Sequence, residues 1–249
     1  DKRSLTFDTQ ALDEPFDILG APAVTLELSS DKPVAAIVVR LCDVRPSGEV
    51  LRVSYGLLNL TRRHGYDAPS ALSPGHRYRV RVQLNAAGAT FKAGHKVRVA
   101  LSTTYWPLMW PTPGPATITL YGGSLCLPVR PLKPADALLG PLPTVETAAP
   151  ELVTGTDAGT QRIERIGLEI ASTGESHYGI KDNDPLTAVA EVRRADTVSR
   201  GEWQIRVETQ LRVSCSNDAF RLQARLRAWH GDAEVCDRAW DHSIPRDLM

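Results

Sequence analysis

No Gly-x-Ser-x-Gly occurs in the 249 residues. The strand–turn–helix elbow that exposes an esterase or peptidase serine is therefore missing. The nearest approach, Gly122-Gly-Ser124-Leu-Cys126, ends in cysteine and lies between strand-like segments with no helix after it, so Ser124 reads as a hairpin residue. His-Glu-x-x-His is also absent, and no pair among the six histidines has metal-ligand spacing. His64, His76, His95 and His230 sit in turns beside or near glycine, the setting of solvated side chains. No Cys-x-x-Cys occurs. Cys42, Cys126, Cys215 and Cys236 each lie in an apolar strand-like segment, as reduced core thiols of a cytosolic protein would. Cys215 and Cys236 fall on neighbouring expected strands, which leaves a disulfide open. No phosphate-cradling glycine loop precedes a helix. These absences imply no metal and no cofactor. Neither charge is in excess, with 29 Lys plus Arg against 29 Asp plus Glu, so nothing electrostatic favours nucleic acid or an anionic membrane. No apolar run approaches the ~20 residues that span a bilayer, and no basic-then-apolar leader opens the chain. The chain lacks an initiator methionine and runs from Asp1 almost directly into the strand-like Ser4–Phe7, as a piece of a longer protein would.

What the chain does have is alternation. Val24–Leu28 reads as a strand, and Ala35–Cys42 (AAIVVRLC) is nearly continuous apolar, as a central strand buried on both faces should be. Asp43–Gly48 is a turn with Pro46 and Gly48 in turn-forming places. Leu51–Leu60 is the next strand, bent at Gly56, and 62–74 is a polar loop. Tyr78, Val80, Val82 and Leu84 alternate with Arg77, Arg79, Arg81 and Gln83. Lys96–Ser102 alternates again, and Thr117–Tyr121 and Ser124–Pro128 close the set. About eight strands at this spacing, without a convincing helix, predict a β-sandwich of the jelly-roll kind over 1–130.

Between Pro128 and Pro150 stand six prolines, which predicts a stiff linker over 131–150. The remainder, 151–249, reads as a second antiparallel β-sheet domain of about six long strands. Trp203, Ile205, Val207, Thr209, Leu211, Val213 and Cys215 face one way there, and Gln204, Arg206, Glu208, Gln210, Arg212 and Ser214 the other. The arginine-rich faces of 204–214 and 221–227, interleaved with Glu208 and glutamine, read as a solvated face or as an interdomain surface. Something must cover the apolar one: the first domain, a curl of the sheet, or another part of the protein. Asp182-Asn-Asp184-Pro185 lacks the ligand series of a calcium loop and reads as an Asx-stabilised turn. Asp241 and His242 are adjacent on a strand, so they point to opposite faces and cannot act as a dyad.

The organising stretch is 96–115, KVRVALSTTYWPLMWPTPGP. Its strand must stop near Ser102, since proline cannot donate to a ladder. Tyr105, Trp106, Leu108, Met109 and Trp110 then share a stiff, non-helical loop. Two roles are open: the aromatics pack their own sandwich, or they present a surface to a partner domain or ligand.

VRLCDVRPSGEVLRVSYGLLNL (39–60), PGHRYRVRVQL (74–84), FKAGHKVRVALST (91–103) and the WPxxWPxP run at 106–113 together resemble the C-terminal domain of the X-Pro dipeptidyl-peptidase/cocaine esterase family of serine hydrolases. The resemblance covers about 1–130. YGIKDNDPL (178–186), RGEW (200–203) and WDHSIPRDL (240–248) resemble a β-rich extension of one bacterial branch. It implies a galactose-binding-like jelly roll that packs on an upstream α/β-hydrolase domain and helps shape its active-site entrance, in a cytoplasmic bacterial enzyme. The catalytic Ser, Asp and His belong to that upstream domain, and no position here matches them. The expectation is therefore a non-catalytic module. Its partner is the catalytic domain, its Tyr105, Trp106 and Trp110 are candidates for pocket lining or interdomain contact, and it could form a homo-oligomer. The alternative is a free-standing carbohydrate- or ligand-binding sandwich, with the clustered aromatics stacking on sugar rings.

Overall fold

The computed structural model describes residues 4–131 and 156–249, so the proline-rich segment 131–150 lies outside the described residues beyond its first position. The chain divides into two units, Asp1–Glu146 with Leu248–Met249, and Thr147–Asp247. Both are all-β and antiparallel.

The first unit runs through β1 (Leu5–Asp8), β2 (Phe16–Gly20), β3 (Ala23–Ser30), β4 (Ala36–Val44), β5 (Val50–Asn59), β6 (Tyr78–Gln83), β7 (Ala87–Phe91), β8 (Lys96–Ser102), β9 (Ile118–Cys126) and β10 (Val129–Arg130). They form sheets ordered β1-β8-β4-β5, β6-β3-β9 and β10-β2-β7. One hydrophobic cluster joins them. Ile37, Val39 and Leu41 of β4 and Val97 and Leu101 of β8 meet Leu26 and Leu28 of β3, Val80 and Val82 of β6, and Phe91 of β7. The first unit is thus a sandwich whose sheets share a dry core. β4 is buried on both sides along nearly its whole length, as its nearly continuous apolar run predicts.

Gly56 explains how the sheets close at one corner. A Cβ there would stand 2.4 Å from the Gln83 carbonyl oxygen of β6. Only a hydrogen fits, and the Ser54 hydroxyl (2.6 Å to the Asn85 carbonyl) and the Asn85 amide (2.9 Å to the Tyr55 carbonyl) stitch the same corner.

Several local expectations need correction. Thr117–Tyr121 and Ser124–Pro128 are not a hairpin: β9 runs unbroken through Gly122-Gly123, and Ser124 pairs with Thr25 in mid-strand. A register shift at Glu27/Leu28 takes up the irregularity, and a Cβ on Gly123 would lie 2.9 Å from both Leu26 Cδ2 and the Thr25 carbonyl. The glycines serve strand contact there, not a turn. β2, β7 and β10 had no alternation strong enough to be seen, and they pair with one another. Of the cysteines only Cys42 is buried; Cys126 is exposed, and Cys215 and Cys236 are half-buried.

The second unit is a meander: β11 (Thr156–Ile163), β12 (Leu168–Lys181), β13 (Asp184–Arg200), β14 (Trp203–Cys215), β15 (Ala219–His230) and β16 (Ala233–Pro245), hydrogen-bonded in sequence order as a six-stranded sheet. β11 gives way to a 3-10 turn at Glu164–Ile166, closed by Gly167 in the left-handed region. The Asp182-Asn183 turn is real, with Asn183 at φ 60°, and the Thr187 hydroxyl closes it by donating to the Asp184 carbonyl and accepting from the Lys181 amide. Cys215 and Cys236 are free, and β15 runs between their strands.

Register fixes the faces of this sheet. Val192, Leu211, Ala224 and Trp240 are successive cross-strand partners and share the apolar side. Arg193, Gln210 and Arg225 share the other. The apolar side is only half-buried; Trp203, Leu211, Trp240 and Ile244 are all exposed. Ala188 and Trp229 are the buried apolar residues of the described part of this unit.

Candidate functional site

The aromatic loop after β8 folds back against the outer face of its own sheet. Arg40 of β4 and Tyr55 of β5 are cross-strand partners, and the ring of Tyr105 settles over them. The Arg40 guanidinium lies 5.2 Å from the Tyr105 centroid and that of Arg52 5.8 Å. Tyr55 meets Tyr105 edge-on at 5.8 Å, and Arg52 also donates to the Tyr105 hydroxyl. This is a cation–π and hydrogen-bonded clamp, and it accounts for the burial of Arg40 to 6 % exposure on what would otherwise be a wet face.

Beyond the clamp the loop turns sharply. The Trp106–Pro107 peptide is cis, and the Met109 amide donates to the Tyr105 carbonyl at 2.9 Å. Trp106 and Trp110 pack edge to face on each other, with centroids 5.1 Å apart and planes at 84°. Both are half-buried, and Leu108 at the tip is 50 % exposed. The structure thus brings Trp106 and Trp110 together and sends Tyr105 to the arginines.

A second surface lies at the open edge of the sandwich. Phe7 of β1, Val99 and Leu101 of β8, Leu26 of β3 and Leu120 and Leu125 of β9 line an apolar hollow of about 280 Å³. Beside it Leu5 and Phe7 of β1 are both about half exposed.

Sequence reasoning missed a buried polar pair. His95 is no solvated turn residue: its Nδ1 lies 2.8 and 2.9 Å from the two oxygens of Asp43, and both side chains are largely covered. A carboxylate only accepts, so Nδ1 carries the proton. The pair ties the turn before β8 to the end of β4. The signal was present in the Asp-Val-x-Pro-x-Gly and Ala-Gly-His motifs, but their contact spans 52 positions and no local pattern joins them.

On the polar face of the six-stranded sheet the arginines are mostly engaged. Arg225 pairs with Asp237 at 2.6 Å, Arg221 with Asp241 at 2.6 Å, Arg227 with Glu208 at 2.8 Å, and Arg212 with Glu191. Trp229 is sandwiched between Arg206 (4.0 Å) and Arg227 (5.0 Å). A wide hollow of about 590 Å³ between Arg193, Glu175, Glu208 and Arg227 opens onto solvent.

Among the described residues the candidate groups do not converge. Ser124 sits in a ladder, Asp241 is held by Arg221, and among the described residues no three His, Cys, Asp or Glu side chains converge to hold a metal. Among the described residues no helix is long and apolar enough to cross a membrane.

A family model described as the X-Pro dipeptidyl-peptidase C-terminal non-catalytic domain matches residues 1–151. The cocaine esterase of Rhodococcus sp. (strain MB1 Bresler) is 25% identical over 103 residues, covering 41% of this chain and 18% of that protein. Among solved structures, an alpha-amino acid ester hydrolase is similar at 30% identity and a TM-score of 0.50, over 52% of this chain and 26% of its own. The chain thus spans roughly a fifth to a quarter of the proteins it matches.

Proposed function

The chain belongs to the X-Pro dipeptidyl-peptidase C-terminal non-catalytic domain family, and from that membership we propose that it is the accessory β module of a serine hydrolase, docked on an α/β-hydrolase catalytic domain. The observation that carries this reading is the family match over a stretch that holds no nucleophile elbow. Chemistry in such a protein belongs to a domain of its own, and this module contributes surface.

Two surfaces suit that role. The apolar hollow beside β1 would be desolvated by a docked domain, and covering the exposed halves of Leu5 and Phe7 would favour association by about 0.7–1.5 kcal/mol each. The loop bearing Tyr105, Trp106 and Trp110 is anchored at its base and offers Leu108 at its tip, a geometry suited to shaping a substrate entrance. The jelly-roll winding expected for the family belongs to the same reading. Four cysteines without a disulfide fit a reducing, cytoplasmic compartment.

The test uses the full-length gene product. A fluorophosphonate should label a serine in that protein and leave the 249-residue chain unlabelled. Replacing Trp106 and Trp110 together by alanine in the full enzyme should lower kcat/KM by about tenfold or depress Tm by several degrees. Unchanged kinetics with unchanged melting would remove the loop from the site. Labelling of the isolated chain would overturn the accessory reading. Sugar binding at millimolar concentration by the chain alone would favour a free-standing lectin-like module instead.

A further inference from the structure

A strand at the end of a sheet carries a row of backbone amides and carbonyls that no neighbour satisfies, and proteins usually blunt such edges with lysine, proline or a bulge. β16 closes one end of the six-stranded sheet. It is 13 residues long, and every residue but Cys236 is exposed. It carries no lysine, and its one proline, Pro245, is its last residue. Its irregularity lies at its start, opposite Ala228/Trp229, and leaves 236–245 in regular register. Its exposed charges are Glu234 at its start and Asp237, Arg238 and Asp241 along its length; the two aspartates are held by β15, Asp237 by Arg225 and Asp241 by Arg221, which leaves Arg238 as the charge in the middle of the edge.

We propose that β16 pairs antiparallel with β16 of a second copy of this chain, about a two-fold axis through Trp240, so that the two sheets become one continuous sheet. Charge and face select this register. Antiparallel partners share a face, so an axis between two residues would join the apolar side of one copy to the polar side of the other. An axis on Ala239 sets Asp237 against the partner's Asp241, and axes on Arg238 or Asp241 oppose like charges at the centre. An axis on His242 shortens the ladder to 239–245. The axis on Trp240 pairs 236–244, which lies within the regular register, and sets neither aspartate against aspartate nor arginine against arginine. It places Trp240 beside the partner's Trp240, Cys236 beside the partner's Ile244, Asp237 beside the partner's Ser243, Arg238 beside the partner's His242, and Ala239 beside the partner's Asp241. The apolar Trp240 and Ile244, exposed in the single chain, then lie on one side of the joint with Cys236, interleaved with Arg238 and His242. The contact is isologous, and it closes at two copies. It uses the six-stranded sheet, which starts beyond the residues matched by the family.

The test is made on the whole 249-residue chain by sedimentation equilibrium and cross-linking. The chain should sediment at twice its 27.2 kDa mass. Trp240→Asp places two carboxylates face to face at the axis and should raise the dissociation constant by at least about tenfold. Should that variant misfold by circular dichroism, Trp240→Cys serves instead. Directly opposed residues of an antiparallel pair have Cα atoms about 4.5–5.5 Å apart, within disulfide reach. Diamide should therefore convert Trp240→Cys to a covalent dimer. Val235→Cys is more exposed but off the axis, and should stay at the background set by the native cysteines. A monomer at all concentrations, a dimer indifferent to Trp240→Asp, or equal cross-linking of the two cysteine variants would each overturn the proposal.

Discussion

Gly56 is the position where one atom decides the most. Its neighbours Leu57 and Leu58 mark it in sequence as part of an ordinary strand, and a bend is all that alternation predicts. The structure shows a closer constraint, a carbonyl of the opposite sheet 2.4 Å from where a Cβ would stand. The obstacle is backbone at a corner tied by the Ser54–Asn85 and Tyr55–Asn85 bonds, so it cannot swing aside. Gly56→Ala should therefore cost about 1–3 kcal/mol, at the upper end because the sheets must part. Urea unfolding checks it: an unchanged midpoint would mean that the corner is softer than its geometry. The same residue scale shows what sequence withholds. That Cys42 lies in the core is legible from the apolar run around it, and burial pushes its thiol up. That His95 is covered is not legible, because the partner that compensates for its desolvation comes from β4, far away along the chain. Tyr105 was legible as important and illegible in role, since Arg40 and Arg52 look like the polar half of an alternating strand until a ring lies on them.

Among the elements, length and purity of alternation decided legibility. The long strands of the second unit, β13 to β16, declare both faces, and their order as a meander follows from short turns. β2, β7 and β10 are short or rich in alanine and glycine, and they exist because each supplies an edge for another. β1 is the most exposed case. Among the described strands it pairs only with β8, all four of its residues are exposed, and it ends on Asp8, whose oxygens accept from Arg98 Nε at 2.7 Å and Nη2 at 2.8 Å. The hydrogen bonds from Arg98 outweigh the desolvation of Asp8 and hold its carboxyl below the usual carboxylate range. Because the folded value is depressed, the stabilisation is complete above the unfolded value of about 3.9 and is lost as pH falls through the folded one. Asp8→Asn should cost about 1 kcal/mol at pH 7 and little once the native carboxyl is protonated. Hydrogen exchange of the Thr6–Asp8 amides reads this directly. Exchange that is as slow in the variant as in the native protein at pH 7 would show that the ladder alone holds β1.

For the whole molecule the two units differ in how they are stabilised. The first encloses a continuous dry cluster from Ile18 to Leu101. The second, over its described residues, buries Ala188 and Trp229 among its apolar side chains and otherwise relies on ladders and on ion pairs at its polar face. Exposed ion pairs contribute little individually and weaken with salt, so this sheet has small reserves of its own. Unfolding should then proceed in two calorimetric transitions, with the second unit melting first. If β16 joins two copies, mass action adds a further signature: the lower transition climbs with protein concentration, while the upper, set by the core of the sandwich, stays fixed. Added salt should lower the first transition and leave the second nearly unmoved. A single concentration-independent transition would contradict both halves of this argument, since it would mean that the sheet draws its stability from the same cooperative core as the sandwich.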